Sequence, residues 1–101
     1  MEIHWSPEAS ADFTHIIQYI RQDTHIIQYI RQDNVAAALR VGRTIYQRIQ
    51  KLQSFPKMGR LGRVEGTREL PFPPLPFVVV YRIKENVIEI ARVLHGAQRW
   101  P

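Results

Sequence analysis

Side chains able to move protons or hold phosphate oxygens gather around one stretch. Tyr81, Arg82, Arg92 and His95 lie in or beside the run FVVVYRIKENVIEIARVL at residues 77–94, and Arg68 lies a short way upstream. In that combination the groups could act as acids or bases and hold an anionic group. Such groups act only if strand ends bring them together. The plainer reading for His95 is a hydrogen bond near the turn into the tail, and for Tyr81 it is packing in the core or sheet.

A second set of residues could bind without reacting. Arg40, Arg43, Gln47 and Lys51 recur at helical spacing as a basic stripe, which reads as a solvated face or as a surface for an acidic chain or nucleic acid. KMGRLGR at residues 57–63 sets Lys57, Arg60 and Arg63 among two glycines. It lacks the P-loop pattern, so a mobile connector stands beside a phosphate-contacting loop as its reading. Arg99 and Trp100 in the tail complete the candidate binding set, and Trp100 is expected to fold back onto apolar surface. Arginine supplies eleven of the fourteen bases behind a net charge of +5, which favours a partner bearing phosphates or carboxylates.

Other classes of function are disfavoured. The chain has no cysteine, hence no disulfide framework and no thiolate chemistry, and its four His lack supporting carboxylate spacing, so neither a metal nor a cofactor is expected. No apolar run approaches membrane-spanning length, and MEIHWSPEAS is not of signal-peptide type, so a cytoplasmic protein without membrane contact is expected. At 101 residues the chain suits one domain over 1–101.

The elements that must position these groups can be read in order. Ile3 and Trp5 alternate with Glu2 and His4 as in a short strand. Ser6-Pro7-Glu8 opens a helix with an N-cap, a tolerated first-turn proline and a favourable charge. Ala9, Phe13, Ile16, Ile17 and Ile20 then form one apolar face. Asp33-Asn34 reads as a turn and cap before a second helix over 35–55, with Ala38, Val41, Ile45, Ile49 and Leu52 buried, ended by Phe55-Pro56. Residues 64–72 read as a strand broken at Gly66. Pro71, Pro73, Pro74 and Pro76 read as a rigid link unable to pair centrally. Residues 78–81 and 87–94 form a β-hairpin turning at Glu85-Asn86, where Asn suits a left-handed backbone. Its strands are apolar on both faces, so the preceding segments are expected to cover both. The order is βααβββ, an α+β domain with a helical hairpin on an antiparallel sheet.

One feature breaks the pattern. THIIQYIRQD at residues 14–23 recurs residue for residue at 24–33. Ten helical residues turn through about 1000°, so the second apolar face falls roughly 80° from the first. The expectation is one helix over residues 7 to about 32, roughly 15 Å longer than a single copy allows. Ile26, Ile27, Tyr29 and Ile30 would then stand uncovered and drive self-association, as a homodimer of hairpins or by helix exchange.

IHWSPEA (3–9), FPKMGRLGR (55–63), GTREL (66–70), VVVYRI (78–83) and ARVLHGAQRW (91–100), in this order and spacing, resemble the ParE/RelE toxin superfamily, and its ParE branch in particular. The likeness spans nearly the whole chain outside the second copy of the repeat. It implies the toxin of a type II toxin-antitoxin (plasmid stabilisation) pair whose cognate antitoxin binds through an acidic, poorly ordered C-terminal segment. RelE-like relatives cut mRNA on the ribosome; ParE-like relatives poison DNA gyrase. His95 sits roughly where some RelE-like nucleases carry a catalytic His. Yet Gly96 follows it where an aromatic or hydroxyl residue is expected, and Phe77 to Val80 offers no base where those nucleases carry an Arg. The resemblance thus implies a gyrase inhibitor acting by binding. The alternatives are a ribosome-dependent nuclease using His95, Arg68, Tyr81 and Arg92, or an antitoxin-binding domain inactivated by the repeat.

Overall fold

The computed structural model describes residues 1–21, 31–96, 98, 100 and 101. Strand β1 (Glu2–Trp5) leads into helix α1 (Pro7–Arg21) and then α2 (Arg31–Gln50), which tightens into a 3-10 turn at Lys51–Gln53. Four strands follow: β2 (Arg60–Leu61), β3 (Thr67–Phe72), β4 (Leu75–Lys84) and β5 (Val87–His95). The sheet order is β1-β5-β4-β3-β2. This is the expected α+β domain with one more short strand. It is antiparallel except where β1 runs parallel to β5, from Glu2↔Val87 to Trp5↔Ile90. The helical pair carries the chain from β1 to the far edge at β2, and the antiparallel run through β3 and β4 then brings β5 back beside β1 in the same direction.

The expected stripes are the ones buried. Ala9 on α1 and Ala38, Ile45 and Ile49 on α2 are fully covered, as is Leu52 in the 3-10 turn. They meet Val79, Tyr81, Ile88, Ile90 and Val93 of the sheet, with Phe13, Ile16 and Val41 packed alongside. The two helices approach closely at Gly42, where an added Cβ would lie 2.7 Å from the Ile17 side chain.

Ser6 performs its capping role and a second one. Its Oγ accepts from the Ala9 N–H at 2.9 Å and donates to the Ala91 carbonyl at 2.8 Å. Past Trp5, β1 no longer covers the edge of β5, and Ser6 and Asp12 take over its backbone groups. The Asp12 carboxylate accepts from the Val93 N–H at 3.0 Å and from both Nε and Nη2 of Arg92, at 2.7 and 3.0 Å. Burial pushes the Asp12 carboxyl up, but the hydrogen bonds from Arg92 and Val93 outweigh it and hold it below the ordinary carboxylate range.

Several sequence expectations are corrected. Helix α2 begins at Arg31 and not at residue 35, so Asp33-Asn34 lies inside a helix; Asp and Asn lower helix propensity by only a few tenths of a kcal/mol, and no Gly or Pro stands there to break it. The helix ends before Phe55 because the chain tightens at Lys51, whose carbonyl accepts from both Ser54 and Phe55. Strand β3 starts at Thr67, since Gly66 takes a left-handed φ of 84°. The prolines do not make a separate link: Pro71 pairs within β3 and Pro76 lies in β4, joined through Pro73-Pro74. Pro71 is tolerated because β2 reaches only Arg68 and Glu69, leaving the rest of β3 as an edge. In the β4–β5 turn the positive φ, 53°, falls on Glu85 and not on Asn86. The second sheet face is covered from behind the hairpin instead of before it: Val80, Ala91 and Leu94 pack under Trp100, which folds back as expected. The expected helix extension, its patch at Ile26, Ile27, Tyr29 and Ile30, and the homodimer lie outside the described residues.

Candidate functional site

The segment after α2 is held firmly against the sheet. Tyr81 is fully buried; its hydroxyl donates to the Pro56 carbonyl at 2.8 Å and accepts from the Gly59 N–H at 2.9 Å. Burial raises the Tyr81 hydroxyl above its usual pKa, against the opposing pull of the Gly59 hydrogen bond and the Arg68 charge. Arg68, its register partner on β3, donates to the Gly59 carbonyl at 2.8 Å. Gly59 is required here because an added Cβ would lie 2.8 Å from the Tyr81 ring. These bonds brace the segment around Pro56 and Gly59 against the sheet.

That brace consumes two of the residues singled out for catalysis. Arg68 and Tyr81 meet at the loop backbone. Arg92 is engaged with Asp12 at the α1 side of β5. His95 is exposed at the end of β5, its ring edge-on to Phe77 with centroids 5.9 Å apart, while its backbone N–H donates to the Gln98 side-chain oxygen at 2.7 Å. Arg68 and Tyr81 thus meet at the loop backbone, Arg92 meets Asp12, and His95 lies beside Phe77.

The binding candidates are placed differently. Lys57, Arg60 and Arg63 are exposed along the braced segment. Arg60 pairs with Glu69 at 3.2 Å, and the other oxygen of Glu69 accepts from the Arg63 backbone N–H at 3.2 Å. Arg60 and Arg63 border a cavity of about 270 Å³ on the sheet face away from the helices, with Val80, Leu94, His95 and Trp100 on its other sides. Arg40 and Arg43 are exposed along α2 and Lys51 in the 3-10 turn that follows it. Arg99 lies outside the described residues. Sequence reasoning missed Asp12 and Glu69, each a lone carboxylate in a helix or strand pattern that meets its arginine, Arg92 or Arg60, only after folding, so no local pattern signals it. Among the described residues no three His, Asp or Glu side chains stand close enough to hold a metal, and no helix is long and apolar enough to cross a membrane.

The family model of the ParE toxin of type II toxin-antitoxin systems, parDE, matches residues 21–100. The chain belongs to the ParE toxin family. Among its relatives is the Sinorhizobium fredii protein Y4kP, named as a candidate toxin, 38% identical over 99 residues that span 98% of this chain and 92% of that one. Among solved structures, a chain of the chromosomal ParDE toxin-antitoxin system from P. aeruginosa superposes with a TM-score of 0.74 at 26% identity, covering 94% of this chain and 95% of the other. The ParE fold in this chain therefore carries its helical pair on one sheet face and a tail tryptophan on the other, as described above.

Proposed function

We propose that this ParE-family toxin acts by binding DNA gyrase and is neutralised by an antitoxin with an acidic C-terminal segment. The observation that carries the reading is the dispersal of the candidate catalytic groups. Acid–base cleavage needs a base, an acid and cations around one phosphate. Arg68 and Tyr81 instead hold the loop backbone, and Arg92 holds Asp12. The exposed bases of α2 and of the braced segment suit an acidic partner, whose binding weakens as salt rises because rim charges are screened within about 10 Å at 0.1 M.

One observation favours the ribonuclease reading: exposed His95 borders the cavity that also holds Arg60 and Arg63. The two are separated with purified components. Inhibition of gyrase supercoiling without cleavage of mRNA on ribosomes is the expected result; ribosome-dependent cleavage with supercoiling unaffected overturns it. If cleavage is seen, loss of it in His95→Ala shows that it depends on His95.

A further inference from the structure

The sequence FPKMGRLGR at residues 55–63 has a period of three. Phe55, Met58 and Leu61 form an apolar phase, Pro56, Gly59 and Gly62 a small or rigid phase, and Lys57, Arg60 and Arg63 a basic phase. The fold treats each phase differently. The second phase lies against the sheet: the Pro56 carbonyl and Gly59 N–H both bond the Tyr81 hydroxyl. Gly62 donates its N–H to the Thr67 carbonyl at 2.8 Å, and a Cβ there would strike Thr67 Oγ1. The apolar phase faces out, with Phe55 exposed by 62%, Met58 by 39% and Leu61 by 78%. The basic phase is exposed too, and among the described residues no ion pair engages the side chains of Lys57 or Arg63.

We propose that this segment is a docking rail for an extended, acidic segment that also carries apolar side chains, namely the antitoxin's C-terminal segment. The inference rests on the toxin-antitoxin reading and adds which basic surface is used and that apolar contact contributes. Exposed apolar and basic side chains interleaved along one braced segment match a chain bearing both carboxylates and apolar groups. A second copy of this protein would set three bases against three bases. A nucleic acid would use the basic row and gain little from Met58 and Leu61, which offer no ring for base stacking. The α2 stripe also has apolar neighbours, Leu39 and Tyr46, exposed by 62% and 50%. It lacks two features of the rail. The rail opens onto the cavity bordered by Arg60 and Arg63, and its backbone is already fixed by Tyr81 and Arg68, so less ordering cost falls on binding.

The test titrates the full chain with the full-length protein encoded in the neighbouring reading frame, across a salt series, with circular dichroism melts confirming that each variant folds. Arg60 is left intact because Glu69 holds it. Lys57→Glu with Arg63→Glu is expected to weaken binding by about thirtyfold at low salt and to flatten the salt dependence, since both charges change from attractive to repulsive. Phe55→Ser with Leu61→Ser is expected to weaken it by about tenfold with the salt dependence kept, because only apolar burial is lost. Arg40→Glu with Arg43→Glu is expected to change it by less than about threefold, as exposed rim charges do. Wild-type affinity in both rail variants, or the main loss in the α2 variant, overturns the rail and leaves the toxin-antitoxin reading intact. A neighbour that fails to bind the wild-type chain overturns both. Capture of a short RNA or DNA duplex that is lost in Lys57→Glu with Arg63→Glu but not in Phe55→Ser with Leu61→Ser overturns the rail by reassigning its bases to nucleic acid.

Discussion

On the helix side of β4 and β5, Val79, Tyr81, Ile88, Ile90 and Val93 lie beneath two amphipathic helices. On the opposite side, Val80, Ala91 and Leu94 lie beneath one tail residue, Trp100. The strands are apolar toward both sides, but only one side receives a full layer. A β-strand's composition therefore states how much surface must leave water, and it does not state what removes it. In this protein the thinly covered face also holds the cavity bordered by Arg60 and Arg63.

The largest test of the comparison is truncation on each side. Ile49 is completely buried between α2 and the sheet. Ile49→Ala is expected to cost about 2–5 kcal/mol, the usual range for a fully buried aliphatic cut to alanine, read as a lower midpoint in urea unfolding with an unchanged slope. Equal loss on truncating Trp100 would show that the two layers are equivalent.

How far the sequence discloses this arrangement depends on the range of the interactions. The stripes on both helices, the hairpin and the Ser6 cap are local patterns, and each was legible. The parallel pairing of β1, the two-residue strand β2 and the entry of Pro71 into β3 depend on which strands become neighbours, which no local period encodes. For the site, Lys57, Arg60 and Arg63 could be singled out from their spacing alone. The packing of Tyr81 could be anticipated, but the partners of Arg68, Tyr81 and Arg92 could not, because Gly59, Pro56 and Asp12 are brought to them only by the fold.

Asp12 is where the two faces are tied together. Arg92 sits opposite Val80 on the thinly covered side and reaches round the free edge of β5 to the carboxylate on α1. Asp12→Asn removes the negative charge and replaces one of the two acceptor oxygens with a donor, and is expected to cost about 1.5–3 kcal/mol near neutral pH. The pH dependence has a definite sign. A carboxyl whose folded pKa lies below its unfolded value contributes stability above the unfolded value, near 3.8, and loses it as pH falls through the still lower folded pKa. Denaturation midpoints of the wild type and Asp12→Asn should therefore differ fully above about pH 5 and converge in strong acid. A constant difference down to strong acid would mean the carboxylate's charge is not what holds the edge.

Truncation of Trp100 comes next in size. The ring is only partly buried, so Trp100→Ala is expected to cost about 1–2 kcal/mol from lost apolar area. Its indole Nε1 meets no hydrogen-bond partner among the described residues. Trp100→Phe should accordingly retain most of the stability, and thermal melts of the two variants separate the ring's area from its N–H.

The smallest effect concerns the turn that decides which residue of β5 takes which face. Lys84 pairs with Val87 around Glu85-Asn86, and a one-residue slip there would exchange the helix-covered and thinly covered sets. Glu85 holds φ at 53°, a left-handed conformation that costs a non-glycine residue about 1 kcal/mol or slightly more. Glu85→Gly relieves that strain but adds about 0.4–1 kcal/mol of freedom to the unfolded chain, so the net gain is expected to be a few tenths of a kcal/mol. Asn86→Gly has no such strain to relieve and is expected to destabilise by roughly the unfolded-state amount alone. The opposite signs make the pair informative despite their size. If Asn86→Gly stabilises and Glu85→Gly does not, the left-handed residue is Asn86, the turn is of a different type, and the assignment of β5 side chains to the two faces must be redrawn from that register.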